Sequence, residues 1–182
     1  MLYCAREGAM DMRETDEAAG ALRAELAPWD QLPDLGLYMD QVITYLERMF
    51  APMRPHAAEK LITSAMINNY VKAGLVPRPA GKKYERAHLA ALVMVTTLKA
   101  SMRMDAIARL LRAPSAPEDI RARYEAFVRA HAAVRRIVAE QLPAGDGAAD
   151  ALRLALAASV CCMLSEALQE PGCMEKRRIS EK

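Results

Sequence analysis

Thr63-Ser64-Ala65-Met66-Ile67-Asn68-Asn69-Tyr70-Val71-Lys72-Ala73-Gly74-Leu75-Val76-Pro77, continued by Arg78-Pro79-Ala80-Gly81-Lys82-Lys83-Tyr84, is the stretch on which the fold turns. Thr63 or Ser64 is suited to accept the amide of a residue two or three places on, Gly74 to end a helix in a left-handed conformation, and Pro77 to stop its resumption. These signals predict a helix of about nine residues. Met66, Ile67, Tyr70 and Val71 follow the three-four spacing of one buried face, which puts Ala65, Asn68, Asn69 and Lys72 on or near the other.

The outward set has the chemistry of a nucleic-acid groove. Asn presents a donor and an acceptor together to an adenine edge, and Lys neutralises phosphate. An ordinary solvated helix face has the same composition, so the neighbouring charge has to decide. Arg78, Lys82, Lys83 and Arg86 crowd a turn held by Pro77, Pro79 and Gly81, the layout of a wing beside a recognition helix. From Lys60 to Arg112 there are ten basic side chains against Glu85 and Asp105, a net +8. The whole chain is only +2, and residues 11–59 carry ten acidic and four basic groups. Positive charge is thus gathered where the helix and turn lie, as counterion-releasing contacts to phosphate require. Expected phosphate contacts are Lys72, Arg78, Lys82, Lys83 and Arg86, with Ser64, Asn68 and Asn69 approaching base edges or phosphates.

Upstream, a helix is expected from about Asp40 to Phe50, with Leu37, Val42, Ile43, Leu46 and Phe50 as its apolar side. Downstream, helices are expected over 86–100 and 104–112, and His88 should cap or pack at the start of the first. Ala113-Pro114-Ser115-Ala116-Pro117 ends that unit, because each Pro disfavours helix at the residue before it. Beyond it, Ile120, Tyr124, Phe127, Val128, His131, Val134, Ile137 and Val138 give one apolar face. Leu152, Leu156, Val160, Met163, Leu164 and Leu168 give another, and Pro143-Ala144-Gly145-Asp146-Gly147 separates the two. This reads as an antiparallel helical hairpin. A lone hairpin cannot cover both stripes, so it packs on a second copy of the chain, the favoured expectation, or on the preceding head as a cap.

With these residues in view, the run Leu32–Leu111 resembles a bacterial domain-of-unknown-function family, the eighteen-thirty-six family, regarded as MerR-like. The matching strings are Met66-Ile67-Asn68-Asn69-Tyr70-Val71-Lys72 and Lys82-Lys83-Tyr84-Glu85-Arg86-Ala87-His88-Leu89, and the resemblance spans somewhat under half of the chain. It implies a winged helix-turn-helix head in which Tyr70, Gly74-Leu75, Tyr84 and the two following helices stand in MerR order, and it implies dimerisation through the later helices. Two features differ from the MerR pattern. Asn68 and Asn69 precede a single Tyr70 where an Arg and paired tyrosines are usual, and Ala51–Ile62 is longer than a tight helix-turn-helix connection.

Length and composition agree with a helical reading. In 182 residues, 53% hydrophobic and only 5% aromatic, Ala and Leu dominate, while alternating strand patterns and hairpin dipeptides are missing. The expected class is all-α: an arm or weak helix over 1–28, a MerR-like DNA-binding-type domain with a small wing over 29–112, a linker at 113–117, the hairpin at 118–170 and a tail at 171–182. Trp29, the only tryptophan, is expected on the core. No run of about 18–20 uninterrupted apolar residues is present, and the start lacks a basic-then-apolar signal, so a cytoplasmic protein away from membranes is expected. Cys4, Cys161, Cys162 and Cys173 show no metal-ligand spacing, and Cys161 and Cys162 are expected as buried thiols. His56, His88 and His131 stand apart, and no nucleophile elbow, Gly-rich loop or carboxylate constellation is visible. The sequence therefore predicts a non-catalytic protein with no cofactor that binds double-stranded DNA as a homodimer. The competing expectation is a helical protein-interaction module that has lost DNA binding.

Overall fold

The computed structural model describes residues 20–21, 23–54, 59–111, 118–141 and 147–169. The expected N-terminal arm falls largely outside them, and the expected linker and tail entirely so. Among the described residues the protein is all-α: α1 Met39–Phe50, α2 Ser64–Lys72, α3 Arg86–Lys99, α4 Met104–Leu111, α5 Glu118–Gln141 and α6 Gly147–Gln169, with short 3-10 turns at Trp29–Gln31 and Ala51–Met53.

Local signals in the chain set the helix ends. The Tyr38 amide donates to Gln41 Oε1 at 2.9 Å at the start of α1, and Val42, Leu46 and Phe50, four apart, are its buried row. At the start of α2 the Thr63 hydroxyl accepts the Met66 amide at 3.3 Å. Gly74 ends α2 at φ +72°, where the Leu75 amide reaches back to the Tyr70 carbonyl at 3.0 Å. α3 is capped differently: the Glu85 amide donates to His88 Nδ1 at 3.0 Å, so an imidazole takes the place that Glu or Gln holds in a capping box. Its ring meets Tyr84 edge-on, with centroids 5.8 Å apart.

The core forms around α3. Every residue from His88 to Thr96 is buried, and a helix apolar on all sides is stable only when covered on all sides. Cover comes from Val42, Leu46 and Phe50 of α1, Ile67 and Tyr70 of α2, Ile107 of α4, Leu26 and Leu32 from the N-terminal segment, and Tyr124 of α5. The core therefore continues past residues 113–117 into α5. Tyr124 is fully buried, donates its hydroxyl to the Ala27 carbonyl at 2.6 Å, and meets Trp29 edge-on at 6.2 Å. Further along α5, Arg135 donates to the Ala21 carbonyl, while Val134 and Ile137, expected on the apolar face, are 58% and 56% exposed.

The two C-terminal helices have different main partners. α5 lies along α3, whereas α6 lies against α4, where Cys162 Sγ also donates to the Ser101 carbonyl at 3.2 Å. Cys161 is exposed and Cys162 only partly buried, which corrects the expectation of buried thiols. The reason is that α6 has little of the protein around it: Leu152, Leu156, Met163 and Leu164 are between 58% and 68% exposed. Within it, Asp150–Gln169 is long and apolar enough to cross a membrane, with a mean hydropathy of 1.6. A rule demanding uninterrupted apolar residues misses this segment because Arg153 and Glu166 interrupt it.

Burial pushes the Tyr124 phenol far above its ordinary value, with Tyr45 adding in the same direction, and burial also raises Tyr45, Tyr70 and Tyr84. A folded-state value above the unfolded one gives stabilisation that is fully present below about pH 10 and is lost as the pH rises beyond it. Unfolding in urea followed by Trp29 fluorescence should show stability falling steeply above about pH 10. Tyr124→Phe should cost about 1–3 kcal/mol at neutral pH, because the Ala27 carbonyl loses its donor, and should flatten the alkaline fall.

Candidate nucleic-acid interface

Ser64, Asn68 and Lys72 stand four residues apart on α2, and Asn69 lies beside them one position round the helix, so all four share its outer side. All four are exposed, while Ile67 and Tyr70 face the core and Met66 and Val71 are half-buried. The separation into an inner apolar row and an outer polar row is the one the spacing predicts.

The chain leaves α2 through Gly74, passes Pro77 and Pro79, and turns at Gly81, where φ is +69°. Arg78, Lys82 and Lys83 are exposed on this turn. Among the described residues, Lys72, Arg78 and Lys82 make no ion pair. The turn contains no strand. Its pairing is a single antiparallel bridge at its far end, Leu37 with Tyr84, closed by Leu37 N–H to Tyr84 O at 2.9 Å and Tyr84 N–H to Leu37 O at 2.8 Å.

Three contacts reinforce this bridge. Gly36 lies so close to the turn that a Cβ placed there would stand 3.0 Å from Lys83 Cβ. Lys83 Nζ sits 5.7 Å from the Tyr38 ring centroid. Arg86 donates from Nε to the Leu32 carbonyl at 3.0 Å, lies 3.9 Å from Asp34, and stacks its guanidinium 5.9 Å from the centre of Trp29. Arg86 is thus committed to holding the segment at 32–34, and among the eight expected contact residues it is the one the structure binds into the protein. Lys83 is partly committed, its stem lying against Gly36 and its ammonium near the Tyr38 ring. The other six point outward, and they come from two adjacent stretches of chain.

Sequence spacing did not single out Asp34, Gly36, Leu37 and Tyr38 as a base for the turn. They lie far from it in sequence, and a single bridge has no alternating pattern to betray it. A visible sign was the lone Gly36 within Leu-Gly-Leu-Tyr, because an isolated glycine marks a close backbone approach.

The fold and surface define a small helical domain with a buried central helix, an exposed polar row on α2 and, next in the chain, an exposed basic turn. Residues 27–127 match the family model described as a domain of unknown function, DUF1836. The match covers more than half of the chain, which belongs to that family. Its limits agree with the packing: it opens at Ala27, whose carbonyl accepts the Tyr124 hydroxyl, and closes three residues after Tyr124, at Phe127. Comparison with curated proteins and with solved structures gives no match.

Gly36→Ala should destabilise the fold by about 1–3 kcal/mol, since Lys83 Cβ is fixed by the adjacent bridge and cannot swing away. Hydrogen exchange should localise the effect, with faster exchange of the Leu37 and Tyr84 amides and unchanged exchange in α5. Uniform loss of protection throughout the chain would show that the bridge is not a local clamp.

Proposed function

We propose that the protein binds duplex DNA without catalysis, as a MerR-like winged helix-turn-helix regulator in the cytoplasm, with α2 as its reading helix and residues 77–83 as its wing. In this reading Lys72, Arg78 and Lys82 hold phosphates, and Lys83 adds a weaker contact from the base of the wing. Ser64, Asn68 and Asn69 reach base edges or phosphates. Arg86 positions the wing through Asp34 and the Leu32 carbonyl and reaches phosphate only with whatever donor geometry remains. The observation that carries the reading is the exposed polar row of α2 lying next in the chain to an exposed basic turn whose far end is clamped. An affinity surface of this kind gains from counterion release, and Asn side chains add base discrimination of about 1–3 kcal/mol per good bidentate pair.

The homodimer belongs to the same proposal. α6 leaves its apolar side chains exposed, and a second copy covers them while giving two reading helices the two-fold arrangement that a pseudo-palindromic site requires. The same exposed helix favours the second reading, a protein-interaction module in which the head no longer binds DNA and α6 recruits a different protein. Salt dependence separates the two, because only the first needs phosphate contacts.

Fluorescence anisotropy with a labelled duplex, measured across a salt series, tests the assignment. Lys72→Ala, Arg78→Ala and Lys82→Ala should each weaken binding on all sequences and lower the slope of log affinity against log salt by about one. An Asn68→Ala/Asn69→Ala double variant should keep the slope and lose sequence preference. Parental slopes in all three cation variants would mean that the turn is not a wing.

A further inference from the structure

An open cleft of about 580 Å³ lies between the N-terminal segment at 23–25 and α5. Small-molecule sites typically enclose about 300–1,000 Å³. Arg23 and Glu25 line one wall, and Arg129, Arg135 and Arg136 line the other, so four guanidinium groups meet a single carboxylate. Between the arginines, the short side chains of Ala132 and Ala133 keep the α5 wall low.

Arg135 ties the walls together by donating from Nη2 to the Ala21 carbonyl. Burial holds its guanidinium below the ordinary value, and Glu25 acts in the opposite direction. One turn earlier, burial and the charge of Arg135 hold the His131 imidazole below its usual range. The arginines nearer the start of α5 are used within the fold: Arg121 pairs with Glu125 at 2.8 Å and Asp30 at 3.4 Å, and Arg123 donates to the Leu111 carbonyl at 2.9 Å. Arg23 and Arg129, by contrast, make no ion pair among the described residues. Arg136 has Glu140 at 3.9 Å with both side chains exposed, and a surface pair that loose holds little. Seven residues separate Arg129 from Arg136, which places them on one face of α5 about 10 Å apart along its axis. Each guanidinium offers a planar fork of donors that matches phosphate oxygens, and a cleft lined by one sign of charge concentrates its potential on an anion.

We propose that this cleft binds the diphosphate or longer polyphosphate group of a small molecule, with Arg129 and Arg136 on successive phosphoryl groups, Arg23 closing from the facing segment and Arg135 holding the two walls in register. A single phosphate engages one end of the arginine row and leaves the other without a partner. None of these residues belongs to α2 or to the turn at 77–83, so this site and the DNA reading stand or fail separately.

Inorganic pyrophosphate is the probe, with inorganic phosphate as its single-phosphoryl counterpart, both titrated into the full chain by calorimetry at about 0.15 M salt. One pyrophosphate per chain is expected to bind saturably, with phosphate at least about tenfold weaker. The His131 ring signals, followed by NMR, should titrate at a higher pH once pyrophosphate is bound, because an anion beside Arg135 favours the protonated imidazole. Arg23→Gln and Arg129→Gln, both at exposed positions, should melt at the parental temperature and each lose about tenfold or more in affinity. Arg48→Gln, an exposed cation on α1, removes the same charge and should bind as the parent does. No saturable binding at millimolar pyrophosphate, equal binding of phosphate, an unmoved His131 titration, parental affinity in both cleft variants, or an equal loss in Arg48→Gln would overturn the proposal.

Discussion

A helix buried all round dictates the rest of this fold. From His88 to Thr96, nine consecutive residues of α3 are withdrawn from water, and no single partner can cover a cylinder. Burying side chains such as Leu92 or Val93 is worth about 1.5–3 kcal/mol each, gained only when every side is sealed. The seal needs α1 and α2 on one part, α4 on another, and the paired Leu26 to Leu32 segment with Tyr124 of α5 on the remainder. α5 is therefore recruited into the domain, and the family match extends into it, to residue 127.

Placement of the surface follows from that arrangement. Because α3 starts at Arg86, the turn from Pro77 to Tyr84 must arrive at the N-terminal end of the buried helix. There His88 caps the amide of Glu85, Tyr84 bridges to Leu37, and Arg86 reaches across to Leu32 and Asp34. The basic turn is thus fixed at its exit by the central helix and at its entry by Gly74, where α2 ends. A loop pinned at both ends spends less conformational entropy on binding than a free one. That is the physical link between the core and the proposed DNA contacts.

The strongest local signals were legible in the chain. Thr63, Gly74 and Pro77 bound α2 to within a residue, because capping and left-handed closure act over a few neighbours and need no tertiary context. The inner and outer faces of α2 were legible too, since a period of 3.6 sorts side chains before packing begins. The domain limit was not. Pro114 and Pro117 are stop signals in the sequence, but such a signal does not limit the core, and only the all-round burial of α3 shows that a further element is needed. The contacts of the clamp at Gly36–Tyr38 were hidden for a related reason. Their residues meet only after several segments have packed, and none shares a local period with the others. The Arg86 side chain illustrates the ambiguity directly: its position in a basic run suggests phosphate, while its neighbours in space, Trp29 and Asp34, hold it for the fold.

Selection of bound sequences from a random duplex pool with the purified full chain, repeated across a salt series, tests the proposed DNA reading most directly. The expected result is affinity that falls steeply with salt, together with enrichment of an inverted repeat whose half-sites are about one helical turn apart or a multiple of it. No binding at low salt, or salt-sensitive binding with no enriched sequence and no symmetry, would contradict a dimeric sequence reader and leave α6 as the functional surface.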